Sequence, residues 1–160
     1  MPGLNDNPFA VLTAVAAPAV LTNACSLLAL GTGNRIARVV DRTRVVTSAR
    51  ASLAMDNPEY RLYSHQLDEL RIRGNLLLRS LRLFYASLGA FAASALAAVT
   101  GSALASYGFQ TVSQAIAVLG FTVGLGAVLS LVVGCAFMVH ETRLAIRSIT
   151  GEVERSAGNG

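Results

Sequence analysis

The stretch "LALGTGNRIARVVDRTR", Leu28–Arg44, changes from apolar to strongly basic within a few residues. The preceding Phe9–Gly33 is 25 residues long and carries no formal charge, whereas the next eleven residues contain four arginines. A helix needs about 20 apolar residues to cross the hydrocarbon core of a bilayer. The stretch therefore predicts a transmembrane helix that leaves the membrane at "GTGNR". Because the first eight residues have no positive charge, we expect an uncleaved span and not a signal peptide.

A second apolar region is long enough for two further spans. Leu83–His140 comprises 58 residues without Asp, Glu, Lys or Arg, and Gly108 within "SYGFQT" favours a turn that divides it. We predict an all-α integral membrane protein with three transmembrane helices and a long cytoplasmic antiparallel helical hairpin between spans one and two. The predicted segments are an external N-terminus 1–8, span one 9–33, the hairpin 34–82 with its turn at 56–58, span two 83–105, an external loop 106–111, span three 112–139 and a cytoplasmic tail 140–160.

The composition supports a surface that faces lipid. Hydrophobic residues make up 53% of the chain and charged residues 14%, and the net charge is +4. All 13 basic residues are arginines, of which ten lie in 35–82, three follow span three, and none lies in 1–8 or 106–111. Positive charge near span ends is retained in the cytoplasm, so we predict an external N-terminus and a cytoplasmic C-terminus. The arginines bracket apolar runs and do not alternate with aromatic residues, which argues against nucleic acid as a partner.

The segment between spans one and two has its own helical pattern. In "DNPEY", Asn57 is placed to cap a helix that begins at Pro58. Apolar residues spaced by three and four on both sides of this break predict two helices that pack through a common seam. Before the break, we expect the helix to continue from Arg35 to Met55, with Ile36, Val39, Thr43, Val46 and Leu53 mostly at this spacing. After the break, the seam residues are Tyr60, Tyr63, Leu67, Leu70, Gly74, Leu77 and Leu81.

Polar residues at the membrane ends of this segment are candidates for the inner mouth of a pore or for contacts with lipid head groups. They are Asn34, Arg35, Arg38, Arg79 and Arg82. The alternative is an ordinary solvated surface with weak ion pairs.

Span one is the most polar of the three. Pro18, Thr22 and Ser26 fall in one helical sector, with Asn23 to its side. This sector is either a packing face whose hydroxyls bond to the backbone or the lining of a pore in a ring of subunits.

Small residues at steps of four mark the other two spans. In span two they are Gly89, Ala93, Ala97 and Gly101. In span three, Gly120 and Gly124 are followed by a second series at Gly126, Ser130 and Gly134. Such residues allow close helix packing in lipid, either within one subunit or between copies, and we expect a homo-oligomer.

No pattern for catalysis is present. The sequence lacks "GxSxG", "HExxH", CxxC, a P-loop and a dinucleotide fingerprint. Cys25 and Cys135 lie in apolar runs without the spacing of metal ligands. We therefore expect no enzyme, catalytic residue, metal or cofactor.

Three stretches resemble a known family. "PAVLTNACSLLALGTGNRIARVVDRTR" is similar to the first span and following helix of the bacterial membrane family named domain of unknown function 2721. "QLDELRIRGNLLLRSLRL" resembles its second cytoplasmic helix, and "HETRLAIRS" resembles its ending. The resemblance covers about residues 8–150 and implies a protein of the bacterial inner membrane without an assigned activity. A weaker, topological likeness is to the TolQ/ExbB/MotA stator proteins, which assemble as rings around a partner helix.

Two functions follow as hypotheses. The first is a homo-oligomeric, channel-like protein lined by span one. The second is a membrane scaffold or stator-like regulatory subunit that binds an unidentified protein through its cytoplasmic hairpin, which predicts that Tyr60, Tyr63 and Leu67 are partly unoccupied. We expect the protein to contact the lipid bilayer and further copies of itself, in addition to any such protein partner.

Overall fold

A computed structural model describes the backbone of residues 8–157 and the side chains of residues 16–146. The predicted external terminus, apart from Pro8, lies outside the described residues, as do 158–160 and the side chains of Arg147 and Arg155. The described chain forms three long helices in the order α1 (Pro8–Ala51), α2 (Pro58–Ser106) and α3 (Gln110–Ala157). The described part is thus all-helical, as predicted.

All three helices are long and apolar enough to cross a membrane, which indicates a multi-pass membrane protein. Within Ala16–Ala51, Pro58–Ser106 and Gln110–Ile146, the most apolar stretches have mean hydropathies of 1.3, 1.7 and 2.5. Over these residues α1 is thus the least apolar, as the sequence suggests. Large apolar side chains such as Leu27, Leu96 and Phe121 are 63–73% exposed. Water would solvate such side chains poorly, whereas lipid tails accommodate them.

The chain divides into two compact units, and each helix contributes to both. Unit one contains the described residues up to Ala29 together with Leu83–Val133. Unit two contains Leu30–Arg82 together with the described residues from Gly134 onward.

Unit one is held by an apolar cluster and by close packing of small residues. Cys25 of α1, Phe91 of α2 and Ala127 of α3 are buried together. A Cβ atom added to Gly120 would lie 2.9 Å from Cβ of Ala97. Because real Cβ atoms do not approach so closely, glycine is what allows α3 to approach α2 at this level.

Two hydrogen bonds also join α2 to α3 in unit one. The Ser94 hydroxyl donates to the Gly120 carbonyl at 2.9 Å, and the Ser113 hydroxyl donates to the Gly101 carbonyl at 2.8 Å. These small and polar residues replace the large apolar contacts of a soluble core.

Unit two is held by the seam that the sequence predicts. Val39 and Val46 of α1 form a buried cluster with Leu70 and Leu77 of α2, and the cluster is bordered by three further seam residues. These are Ile36, Tyr63 and Leu67. The three-and-four spacing on both segments thus marks the faces that meet.

The connection between α1 and α2 is longer than the predicted turn at 56–58. It spans residues 52–57, because α1 ends at Ala51 and not at Met55 as predicted, so Leu53 lies in the connection and not on the helical seam. The amide of Leu53 donates to the Arg50 carbonyl at 3.2 Å, a tighter turn than an α-helix makes. The predicted cap is confirmed, since the Glu59 amide donates to Oδ1 of Asn57 at 2.9 Å.

The connection between α2 and α3 is a tight turn at residues 107–109, within the predicted 106–111. Gly108 has a φ of +87°, which favours glycine over residues with a Cβ. The amide of Gly108 donates to the Ala105 carbonyl, and the amide of Phe109 donates to the Leu104 carbonyl, both at 3.1 Å. This pair of bonds is the Schellman arrangement that ends a helix.

Candidate functional site

Glu141 of α3 is the focus of a polar cluster in unit two. Only 2% of this residue is exposed. Nε of Arg73 donates to its Oε1 at 2.9 Å, and Nη1 of Arg35 donates to its Oε2 at 3.3 Å. Each carboxylate oxygen therefore has an arginine from a different helix, and the buried charge is compensated on both sides.

Thr142 fixes one of these arginines further. Nη1 of Arg35 also donates to Oγ1 of Thr142 at 2.9 Å, while the Thr142 hydroxyl donates to the Met138 carbonyl at 3.0 Å. The Arg35 guanidinium is thus held by two neighbouring groups of α3. The side chains of Arg35 and Arg73 are 43% and 27% exposed, so both guanidinium groups are also in contact with the outside of unit two.

A cavity of about 280 Å³ opens beside this cluster, within unit two. Arginines dominate its wall: three come from α1 at relative positions i, i+3 and i+7, which share one helix face, and the fourth comes from α2. The lining residues are Arg35, Arg38, Arg42 and Arg73 with Glu141, Thr142, Val39, Leu70 and Ala145. Four positive charges against one negative charge leave the wall with a formal charge of +3. Such a wall attracts anions.

The predicted head-group contacts separate into two sets. Arg35 and Arg38 line the cavity, whereas Arg79 and Arg82 are exposed and are not among its lining residues. Asn34 is also exposed and does not line the cavity.

The sequence reasoning missed Arg42, Arg73 and Glu141. Arg42 could have been found from its spacing, because positions 35, 38 and 42 lie on one face of a helix. Glu141 could have been found from its isolation, because it is the one carboxylate between Glu69 and Glu152.

The polar sector of α1 belongs to unit one and shows the backbone bonding expected of a packing face. The Thr22 hydroxyl donates to the Pro18 carbonyl at 2.8 Å, and the Ser26 hydroxyl donates to the Thr22 carbonyl at 3.0 Å. Asn23 differs, because its side chain is exposed and makes no hydrogen bond within residues 16–146. At 100° per residue, Asn23 lies on the side of α1 opposite the buried Cys25.

The predicted packing residues also separate. Ala97, Gly101, Gly120 and Gly124 lie at contacts between α2 and α3 in unit one, and Gly134 is buried in unit two. In contrast, Gly89 and Ala93 are exposed, and a Cβ added to Gly89 would meet no atom within 4 Å. Packing within one subunit therefore accounts for the first group, and a face of α2 remains open at the second.

The described residues contain no group of three or more His, Cys, Asp or Glu side chains that fits a metal ion. Cys25 and Cys135 are not joined in a disulfide; the first is buried and the second is partly buried. His65 lies 3.6 Å from the Glu69 carboxylate, on an exposed helix face.

Comparison with known proteins identifies the family. No curated protein and no solved structure matches the chain, and the topological likeness to the TolQ/ExbB/MotA proteins is not confirmed. The family described as "Protein of unknown function (DUF2721)" matches residues 15–150, which is most of the 160-residue chain. The chain is therefore a member of the DUF2721 family.

Proposed function

We propose that this protein is a non-enzymatic protein of the bacterial inner membrane that assembles as a homo-oligomer, with α1 of neighbouring copies lining a channel-like path. In this arrangement the N-terminus is external, and residues 34–82 form a cytoplasmic hairpin. The single observation that carries the proposal is the exposed Asn23 side chain in the middle of an apolar helix.

An unpartnered amide that faces lipid is unfavourable. Burying an amide without a hydrogen bond costs about 1–3 kcal/mol on mutational scales, and lipid tails offer no partner. The Asn23 amide makes no bond within residues 16–146 and lies opposite the side of α1 that packs in unit one. A second copy of α1, or water enclosed by several copies, would supply the missing partner.

Two further features suit a lined path. The Thr22 and Ser26 hydroxyls donate to their own backbone, so their oxygen lone pairs are still able to accept from water. A Cβ added to Gly31 or Gly33 would meet no atom within 4 Å, so another helix is able to approach α1 closely there. Arg35 and Arg38 follow in the sequence, and rings of arginine favour anions over cations.

Cross-linking tests the assembly. In a Cys25→Ala/Cys135→Ala background, we expect Asn23→Cys to form disulfide-linked dimers in native membranes. Phe121→Cys is the matched control, because Phe121 is 73% exposed but lies on α3. Equal cross-linking at both positions would indicate random collision and contradict an interface at α1.

Flux measurements test conduction. Purified protein in liposomes is expected to pass chloride faster than protein-free vesicles, and Asn23→Leu is expected to reduce that flux. Thr122→Leu serves as the control, since Thr122 is exposed on α3 and its hydroxyl bonds within its own helix. Flux equal to that of protein-free vesicles would remove the channel-like function, whatever the cross-linking shows.

A scaffold or stator-like regulatory subunit is the second candidate. Unit two exposes Leu62 and Ile72 of α2 by 45% and 55%, which suits contact with another protein. Tyr63 and Leu67, which the sequence proposes for that role, are half-buried against the unit's own core. Affinity purification of wild type and Leu62→Ser/Ile72→Ser tests this function. Recovery of the same partners by both proteins would count against it.

A further inference from the structure

We propose that the cavity beside Glu141 binds a phosphate-bearing anion through its arginine side chains. The proposal goes beyond the channel-like function and does not depend on conduction, because the cavity lies within unit two of a single chain. Arg35, Arg38, Arg42 and Arg73 provide the binding groups, and Glu141 acts as the positioning residue for two of them.

The charge balance of the cavity favours an anion. Glu141 is the one carboxylate among its lining residues, and it is already shared between Arg35 and Arg73. Arg38 and Arg42 form no ion pair or hydrogen bond with any group in residues 16–146. Four guanidinium groups around one cavity repel each other, and a bound anion converts that repulsion into attraction.

The bonding of the cluster leaves donors available for a ligand. Arg73 uses Nε for Glu141, and Arg35 uses Nη1 for both Glu141 and Thr142. A guanidinium has five N–H donors in a planar fork, so most donors of both groups are not used by these bonds. The fork matches the spacing of two phosphate oxygens, and Glu141 holds both groups in place before the ligand arrives.

The size of the cavity restricts the ligand. Small-molecule pockets are typically about 300–1,000 Å³, so about 280 Å³ suits a phosphate group with a small substituent. Val39 and Leu70 add an apolar part to the wall, which suits the carbon atoms of a phosphate ester. A soluble phosphate compound and a phospholipid head group share this chemistry, and the experiment below separates them.

The test uses the full-length protein in two kinds of lipid nanodisc. In nanodiscs of phosphatidylcholine alone, inorganic phosphate is titrated at constant ionic strength and its binding is measured by calorimetry. In nanodiscs of phosphatidylcholine with added phosphatidylglycerol, native mass spectrometry counts the phosphatidylglycerol that stays bound to the protein.

Both measurements compare wild type with two double variants. Arg38→Gln/Arg42→Gln changes the cavity, and Arg61→Gln/Arg71→Gln is the matched control. Arg61 and Arg71 are exposed residues of unit two that do not line the cavity. Each double variant therefore loses two positive charges from unit two. None of the four substituted arginines bonds to Glu141, so we expect both double variants to fold. Circular dichroism verifies this.

We expect wild type and the control to bind equally, and the cavity variant to bind about tenfold or more weakly, as the loss of charged hydrogen bonds implies. Binding of inorganic phosphate identifies a soluble ligand, whereas retention of phosphatidylglycerol alone identifies a lipid head group. The proposal is overturned if wild type binds neither, or if both double variants lose binding equally, since net charge would then explain the result.

Discussion

Arg73 of α2 and Glu141 of α3 lie 68 residues apart in the sequence and are joined by a hydrogen bond of 2.9 Å. With Arg35 of α1 on the other carboxylate oxygen, a single buried side chain connects all three helices within unit two. A buried carboxylate needs such partners, because it loses its hydration and the interior offers no water in exchange. The same bonds place two guanidinium groups at the wall of the cavity.

Removing Arg73 should therefore destabilise the protein. Arg73→Met leaves Oε1 of Glu141 buried without its partner, and we expect a loss of about 1–3 kcal/mol. Leaving a buried charge with no partner costs about 3–5 kcal/mol. We expect a smaller loss here, because Arg35 still compensates the Glu141 carboxylate. The effect is measured as the change in the free energy of unfolding when SDS is titrated into the protein in detergent micelles.

A double-mutant cycle provides the control for this prediction. Arg73→Met/Glu141→Met should cost less than the sum of the single changes, with a coupling of about 0.5–3 kcal/mol. Arg71→Met, at an exposed position two residues away, should change stability by no more than about 0.5 kcal/mol. Equal losses for Arg71→Met and Arg73→Met would show that the bond to Glu141 does not matter.

Gly120 and Gly126 should respond oppositely to the same substitution. Gly120→Ala places a Cβ 2.9 Å from Cβ of Ala97 and should cost about 1–3 kcal/mol by overpacking. Gly126→Ala meets no atom within 4 Å and should be neutral or gain up to about 1 kcal/mol from reduced backbone entropy. Thermal unfolding in the same detergent compares the two, and a destabilised Gly126→Ala would instead indicate a contact between copies.

Asn57 should contribute to stability as a helix cap. Asn57→Ala removes the acceptor for the Glu59 amide and should cost about 1 kcal/mol. Asn57→Ser keeps an oxygen acceptor at the cap and should recover most of that loss. The free energy of unfolding of both variants decides the point, and a loss of equal size in Asn57→Ser would exclude capping as the cause.

The distribution of arginine predicts the orientation of the chain in the membrane. Single cysteines at position 3, 50 or 157, in the Cys25→Ala/Cys135→Ala background, report which side each segment faces. An impermeant thiol reagent applied to intact cells should label position 3 alone, because arginine-rich segments remain in the cytoplasm. Labelling at 50 and 157 with protection at 3 would mean the reverse orientation.

Features that depend on neighbours along the chain could be predicted from the sequence. The charge-free Phe9–Gly33 and the 58-residue apolar region correspond to helices long enough for three spans. The cap at Asn57 and the turn at Gly108 were predictable because each depends on the side chain at a single position. The seam of unit two followed from spacing alone, since three-and-four spacing places residues on one face of a helix.

Tertiary structure decided what depends on distance through space. Glu141 and its two arginines come from three helices, so no local pattern in the sequence pairs them. Likewise, Gly120 and Gly126 look equivalent in the sequence, yet only the first lies against another helix. The sequence by itself determined which segments are helical and apolar, because local composition controls these properties. The three-dimensional packing determined which polar side chains meet, because buried charges and close glycine contacts depend on what the neighbouring helices present.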